Sequence, residues 1–393
     1  MKKIIFLSVL VIIGILFFTQ IKRGCLSLLI LVDSVRPPEK ALMGKLIDGP
    51  AKTKVTIPSR GRIIHADLYR SHLRGRQFPL LLVHGMNPSG KDDEQLVLLA
   101  KDLARAGFLV LVPDLEGVKN FRIRITDAED VLQSFRYMSA GEHAGPRGGM
   151  IGISCGAGPM LLAAADRRIR DKVSVVATVG GYYDLRNVLS FALTGACDYG
   201  GHRGDVRPEA SLRWMFAYRN LDLLRSFDDR EKLRKIIEKR NRYEVAAAES
   251  LAKSLGPEGR ALYGFFVNTD RKRFAPLYEN LPLPVREYVY QLSPARAIKY
   301  ITASFIIIHG IDDYSVPYTE SMRLADAVGD KNRVRLALLP QLMQSGPTEP
   351  SAGERYQRYV LGGWRLFTSI YELLEMSSRD ETGDRRQDVE RGK

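Results

Sequence analysis

Residues 150–160, MIGISCGAGPM, constrain this chain more than any other stretch. Within them Gly152-Ile153-Ser154-Cys155-Gly156 fits the G-x-S-x-G pattern of a nucleophile elbow, a strained turn that holds a serine between a strand and a helix. The two glycines have a steric purpose. Strand and helix close on each other at such a turn, and side chains flanking the serine would fill the gap. Five letters of this kind recur by chance, so the flanks carry the weight. Ahead lies Gly148-Gly149-Met150-Ile151, a short apolar run suited to a buried strand, and behind it Pro159 to Asp166 reads as a helix. A glycine-rich turn without chemistry is the bland alternative, and these flanks disfavour it.

On both sides of the elbow, short apolar runs alternate with amphipathic ones. Residues 54–58 and 63–69, separated by Ser59-Arg60-Gly61, are expected to form an antiparallel pair. Residues 78–84 and 108–113 are continuous apolar runs of the kind buried on both faces of a parallel sheet. Between them Asp92 or Asp93 can cap a helix with Leu96, Leu99, Leu103 and Ala106 on one face, stopped by Gly107. Thr126-x-x-Glu129 is a capping box that predicts a helix to about Met138. Further strands are expected over 173–179, 304–309 and 334–340, with helices over 319–328 and 354–376. The pattern specifies an α/β fold, a mostly parallel sheet flanked by helices, built from residues 53–186 and 299–376. Residues 187–298 interrupt it with charged helical segments, notably 211–224 and 228–253, expected to lie over the carboxyl ends of the strands as a cap.

Composition narrows the partners. Fifty-nine basic residues against 45 acidic ones give a net charge of +14, which suits acidic lipid, nucleic acid or a simply basic surface. No zinc-finger spacing or RNA-binding aromatic signature accompanies it, so nucleic acid ranks last. The basic run in the insertion, including Arg271-Lys272-Arg273, reads as a solvated helical face. Cys25, Cys155 and Cys197 are too few and too scattered for a disulfide framework or a metal site, and no cofactor is expected. At the start, Lys2-Lys3 precede an uncharged apolar run, 4–18, that continues to Ile21 before Lys22-Arg23. This is near the lower limit for a spanning helix, about 20 residues. A cleaved signal peptide begins in the same way, but no small-residue cleavage site follows, so residues 1–21 read as a transmembrane signal anchor. Basic residues on both sides leave its orientation open, and cleavage would make the protein secreted or periplasmic. Residues 25–33 are expected against the bilayer surface, with a linker from Pro37-Pro38 to 52 and a disordered charged tail over 377–393.

In an open parallel sheet, reactive groups gather at the carboxyl ends of strands. Three such ends stand out: His84-Gly85-Met86, Ser154, and His309-Gly310-Ile311-Asp312-Asp313 leading to Val316-Pro317. With these motifs in this order, the chain over 53–376 resembles the α/β-hydrolase fold family. The resemblance implies carboxylester (acyl) hydrolysis by a serine, histidine and acid triad of esterase or lipase type. It also implies an acyl or lipid-like substrate and an insertion acting as a lid that shapes the pocket. Carried over by position, Ser154 is the nucleophile, the backbone N–H groups of Met86 and Cys155 form the oxyanion hole, and Asp313 is the acid. Asp312 is its rival, but reads as a turn former.

The family's histidine follows the last strand, and here no histidine occurs after His309. Residues 341–347 read QLMQSGP, and Gln344 stands at the histidine position by spacing. Glutamine can hydrogen-bond both a serine and a carboxylate but cannot take the serine proton near neutral pH. His202 in the insertion and His84 or His309 at the correct sheet edge are the candidate substitutes, while His65, His72 and His143 lie elsewhere. Two outcomes follow: a serine hydrolase with impaired catalysis, or an inactive pseudo-hydrolase serving as a membrane-associated binding or scaffold protein. An acyltransferase, or a hydrolase of a non-ester bond, is a third reading of the same elbow.

Overall fold

Eight strands make one sheet: β1 Ala51–Ser59, β2 Arg62–Arg70, β3 Phe78–Val83, β4 Phe108–Pro113, β5 Gly148–Ile153, β6 Val173–Val179, β7 Ser304–Gly310 and β8 Val334–Leu339. They lie in the order β1-β2-β4-β3-β5-β6-β7-β8, with β1–β2 and β2–β4 antiparallel and the other pairs parallel. The computed structural model describes residues 2–73, 75–202, 208–340 and 360–391, the side chains of 2–16, 210 and 378–391 excepted. Arg60 (φ 44°) and Gly61 (φ 78°) close β1 on β2 with two left-handed residues, the turn whose twist matches paired strands. Every residue of β3 and β4 is buried, because helices cover both faces.

The period of two along β3 separates the faces. Leu81 and Val83 join Phe135, Met160 and Leu324 from helices Asp127–Ser139, Ala157–Ala164 and Thr319–Val328. Leu80 and Leu82 point the other way, into a cluster with Leu103, Leu373 and Ile30 from helices Glu94–Arg105, Gly363–Arg391 and Lys2–Ser34. Asp93 caps helix Glu94–Arg105 by accepting the Leu96 N–H at 3.0 Å. The capping box at Thr126 does not form. Thr126 is itself helical and its side chain caps nothing, Asp127 accepts the Arg124 N–H at 2.7 Å, and Glu129 is drawn away to Arg168 at 2.8 Å.

Residues 25–33 are a correction to the sequence reading. They are the second half of the continuous helix Lys2–Ser34, and they pack on the domain. Leu26, Leu29 and Ile30 form a stripe at helical spacing that finds the apolar face beside helix Glu94–Arg105. Asp33, fully buried, fixes the end by accepting the Leu42 and Met43 N–H groups at 2.7 and 2.8 Å. Among the described residues no helix is long and apolar enough to cross a membrane. Most of the segment read as an anchor, residue 1 and the side chains of 2–16, lies outside the described residues. Helix Gly363–Arg391 continues through most of the predicted disordered tail, since 377–391 contain no proline to end it. Its expected beginning, 354–359, lies outside the described residues.

Between β6 and β7 the described residues form seven α-helices, from Leu185–Thr194 to Leu283–Leu292. The helix expected over 228–253 is broken at Tyr243, whose φ of 62° leaves the helical region. These helices close on their own core of Ile236, Phe265, Phe266 and Tyr288, with the Arg240 guanidinium 5.1 Å from the Trp214 ring and 5.3 Å from that of Tyr263. Side-chain hydrogen bonds tie the insertion to the sheet domain. The Tyr182 hydroxyl donates to the Leu292 carbonyl at 3.0 Å. Glu320, fully buried, accepts the N–H groups of Tyr183 and Asp184 at 3.1 and 2.7 Å and the Asn187 amide at 3.0 Å.

Burial pushes the Glu320 carboxyl up from 4.5 to about 7, the backbone donors offsetting only part of that rise. A folded value above the unfolded one means that the folded state holds this proton more tightly. The contribution to stability is therefore complete below pH 4.5 and is lost as pH rises toward 7. Glu320→Gln keeps an oxygen for the Asp184 N–H and cannot ionise, so its melting temperature is expected to vary less than wild type across that interval. Parallel melting curves for the two proteins would reject the assignment.

Candidate active site

β5 ends at Ile153, helix Ala157–Ala164 begins four residues later, and Ser154 between them has φ 49°. A left-handed residue with a side chain is strained by about 1–2 kcal/mol, so close packing must impose it. The glycines show how close that packing is. A Cβ at Gly152 would lie 2.6 Å from the Ala157 Cα, and one at Gly156 would lie 2.1 Å from the His84 carbonyl oxygen. One at Gly85 would lie 3.2 Å from the Ser154 Cβ, which puts the His84-Gly85-Met86 loop directly against the elbow. Gly158 was not singled out in the sequence, yet a Cβ there would meet the Tyr182 hydroxyl at 2.0 Å, and Tyr182 anchors the insertion.

The two N–H groups expected to form an oxyanion hole sit on these elements. Cys155 lies in the first turn after the elbow, where amides have no acceptor within the helix. Met86 follows Gly85 and, like Cys155, packs against the core of the insertion. Burial pushes the Cys155 thiol up to about 11, and the nearby Asp313 carboxylate acts in the same sense, so this sulfur is not a thiolate at neutral pH.

His84 is buried and committed on both ring nitrogens. Nδ1 donates to the Gly85 carbonyl at 2.8 Å and Nε2 accepts the Leu115 N–H at 2.9 Å, a tautomer assigned from those partners. Burial lowers its pKa and favours that neutral form. It pins the loop and has no nitrogen left to act as a base. His309 is occupied likewise, Nδ1 by the Ser321 hydroxyl at 2.6 Å and Nε2 by the Val316 carbonyl at 3.0 Å. His202 is exposed, bridged to Tyr199, with its ring edge-on to Tyr318 at 6.4 Å. His65 lies on β2, His72 hydrogen-bonds the Gly49 carbonyl, and His143 meets Arg70. Among the described residues, then, no imidazole hydrogen-bonds the Ser154 hydroxyl. Gln344 lies outside the described residues.

Asp313 is held as a carboxylate. Its Oδ1 accepts the N–H groups of Ser315 and Val316 at 2.8 and 3.0 Å, and its Oδ2 is 3.4 Å from His309 Nε2. Burial alone would raise its pKa, but His309 and the two amides outweigh it and the net shift is downward. Oδ2 also faces the end of β6, 3.3 Å from where a Cβ on Gly180 would stand.

A cavity of about 340 Å³ opens beside Ser154, with Gly85, Met86, Leu96, Leu99 and, from the N-terminal helix, Ile30 among its walls. No described residue of the insertion lines it. The resemblance implies a lid that shapes this space, whereas the insertion packs its core down on Met86, Cys155 and Val316. Sequence reasoning missed Ile30 here because the residue reads equally well as part of any apolar helical stripe. The apolar face of helix Glu94–Arg105 was visible, but only as core.

Strand order, elbow and loop together give the chain the α/β-hydrolase fold. Among solved structures it is similar to an acylaminoacyl peptidase of Pyrococcus horikoshii, at 14% identity over 86% of this chain and 42% of that one, with a TM-score of 0.47. It is also similar to Est1E from Butyrivibrio proteoclasticus (15% identity, 82% and 98% covered, TM-score 0.44) and to an esterase of Pyrococcus furiosus (11%, 84% and 91%, 0.44). The chain spans less than half the length of the peptidase. No family model and no curated protein matches it.

Proposed function

We propose that this chain is a slow serine hydrolase of carboxylester (acyl) substrates, associated with a membrane through its N-terminal segment. The observation that carries the reading is Ser154 at φ 49° with the Gly85 loop pressed against it, strain that a mere binding pocket has no use for. In the reaction the Ser154 oxygen attacks the acyl carbon, and the carbonyl electron pair moves to an oxygen held by the Met86 and Cys155 N–H groups. Collapse expels the alcohol and leaves an acyl-serine, which water then cleaves. The serine proton passes to solvent rather than to an imidazole, so both steps are slow. A donor pair and binding alone sustain about 10³–10⁴ over the uncatalysed rate in such sites. Phe17 and Phe18, which end the apolar 4–18 run, and Ile21 beyond it are exposed, which supports membrane association.

A second reading, an inactive pseudo-hydrolase that binds or scaffolds at the membrane, is favoured by the lack of an imidazole at Ser154 among the described residues. A fluorophosphonate probe separates the two. The expected result is an adduct on the peptide containing Ser154, found by mass spectrometry in the membrane fraction and forming faster as pH rises, because hydroxide replaces the missing base. Deleting residues 1–21 is expected to move the adduct to the soluble fraction. An unlabelled Ser154 at every pH would leave the pseudo-hydrolase standing, and an adduct equally soluble with and without residues 1–21 would remove the membrane from the account.

A further inference from the structure

The open space beside Ser154 faces the N-terminal helix, not the insertion. Its walls include Ser154 and Met86, Leu96 and Leu99 of helix Glu94–Arg105, and Ile30 and Ser34 of helix Lys2–Ser34. Ile30 is only 3% exposed and shares an apolar cluster with Leu96. The polar groups near this wall already have partners. Asp93 holds the Leu96 N–H at 3.0 Å and the Asn87 amide at 2.6 Å, and Asp102 is ion-paired with Arg105 at 2.8 Å. Carboxylates rather than cations are therefore what a charged ligand would meet, which disfavours an anionic chain. The helix itself is fixed, by Asp33 on the Leu42 and Met43 amides and by Arg23 on Glu375 at 3.2 Å, so Ile30 is a rigid boundary.

We propose that Ile30 is a specificity-determining residue of the Ser154 site. It closes the far end of a cavity that takes the uncharged apolar chain of an acyl substrate, so the helix that carries the apolar N-terminal segment also selects the acyl group. The inference rests on Ser154 being the nucleophile, and it adds the substrate class and the residue that measures it.

Each methylene that enters such a cavity raises the acylation rate about fourfold, until the chain meets the end wall. The test is a series of ethyl, butyl, octyl and hexadecyl fluorophosphonates on the full chain. Ile30→Trp, which narrows the space, is expected to lower the octyl-to-ethyl rate ratio at least tenfold, and Ile30→Ala to move the preferred chain to a longer one. Should the tryptophan variant not fold, the alanine variant gives the same reading. Ratios equal to wild type in the folded variants would overturn the proposal.

A wild-type protein that no probe labels would defeat the nucleophile reading instead. The cavity is then read without chemistry, from the rise in melting temperature with added octanol. A rise that Ile30→Trp diminishes supports the binding role of Ile30. No rise, or an equal rise in both proteins, overturns it.

Discussion

Replacing Gln344 with histidine is expected to raise ester turnover about 100-fold or more, the low end of what a positioned general base contributes. With Ser154 proposed as nucleophile and Asp313 as acid, the histidine position is the part of a triad left to fill. Ser154 stands at the elbow, and Asp313 is held as a carboxylate by two backbone amides and His309, with Oδ2 turned toward the end of β6. Among the described residues no imidazole reaches Ser154 to accept the serine proton, and one titrating near pH 6.5 at position 344 would supply that group. The gain therefore carries its own signature. Turnover of Gln344→His should rise through a sigmoid centred near pH 6–7, while the wild-type rate climbs without a plateau as hydroxide increases. Asp313→Asn in the same background should remove most of the gain, because a carboxylate orients the ring and stabilises its charged form. A variant with wild-type turnover at every pH would show that residue 344 does not approach Ser154.

Gly156→Ala is expected to abolish labelling of Ser154 and to destabilise the fold. The added Cβ would lie 2.1 Å from the His84 carbonyl oxygen and 3.2 Å from Val83 Cγ1, and the first of these is backbone that cannot swing aside. Either the elbow or the Gly85 loop must shift, and Met86 moves with that loop. Overpacking of this kind destabilises by about 1–3 kcal/mol. The loss of reactivity is expected to exceed what stability explains, because the proposed oxyanion hole is made of the Met86 and Cys155 N–H groups, one on each of these elements. Gly264 is the contrast. It lies in helix Pro257–Val267 with nothing within 4 Å of its missing Cβ, so Gly264→Ala should be neutral or stabilising by about 0.5–1 kcal/mol. A Gly156→Ala protein that melts and reacts like wild type would remove the steric account of the elbow.

Much of the scaffold was legible in the chain because its causes are local. Alternation of apolar runs with helical stripes marks β3 through β8, since a strand buried on both faces must be apolar throughout and a flanking helix on one side only. Gly152 answers to a near neighbour, Ala157, whereas Gly156 answers to the His84 carbonyl from a distant part of the chain. The failures were equally instructive. Thr126 and Glu129 match a capping box, but Arg168 takes Glu129 from a distant part of the chain, and no local pattern foretells that. Glu320 stands in the first turn of helix Thr319–Val328, and only the tertiary fold brings the loop after β6 onto its carboxyl.

The amino-acid sequence alone determined the order of strands and helices along the chain, the glycine-flanked serine motif, and the absence of any histidine beyond His309, because each is read from residue identity or periodic spacing. Tertiary structure alone decided that both nitrogens of His84 and His309 are occupied, that the insertion packs on Met86 and Cys155, and that the space beside Ser154 is walled by Ile30. Those outcomes depend on which surfaces meet after the chain collapses. An apolar stripe states that it will be buried, but not against what.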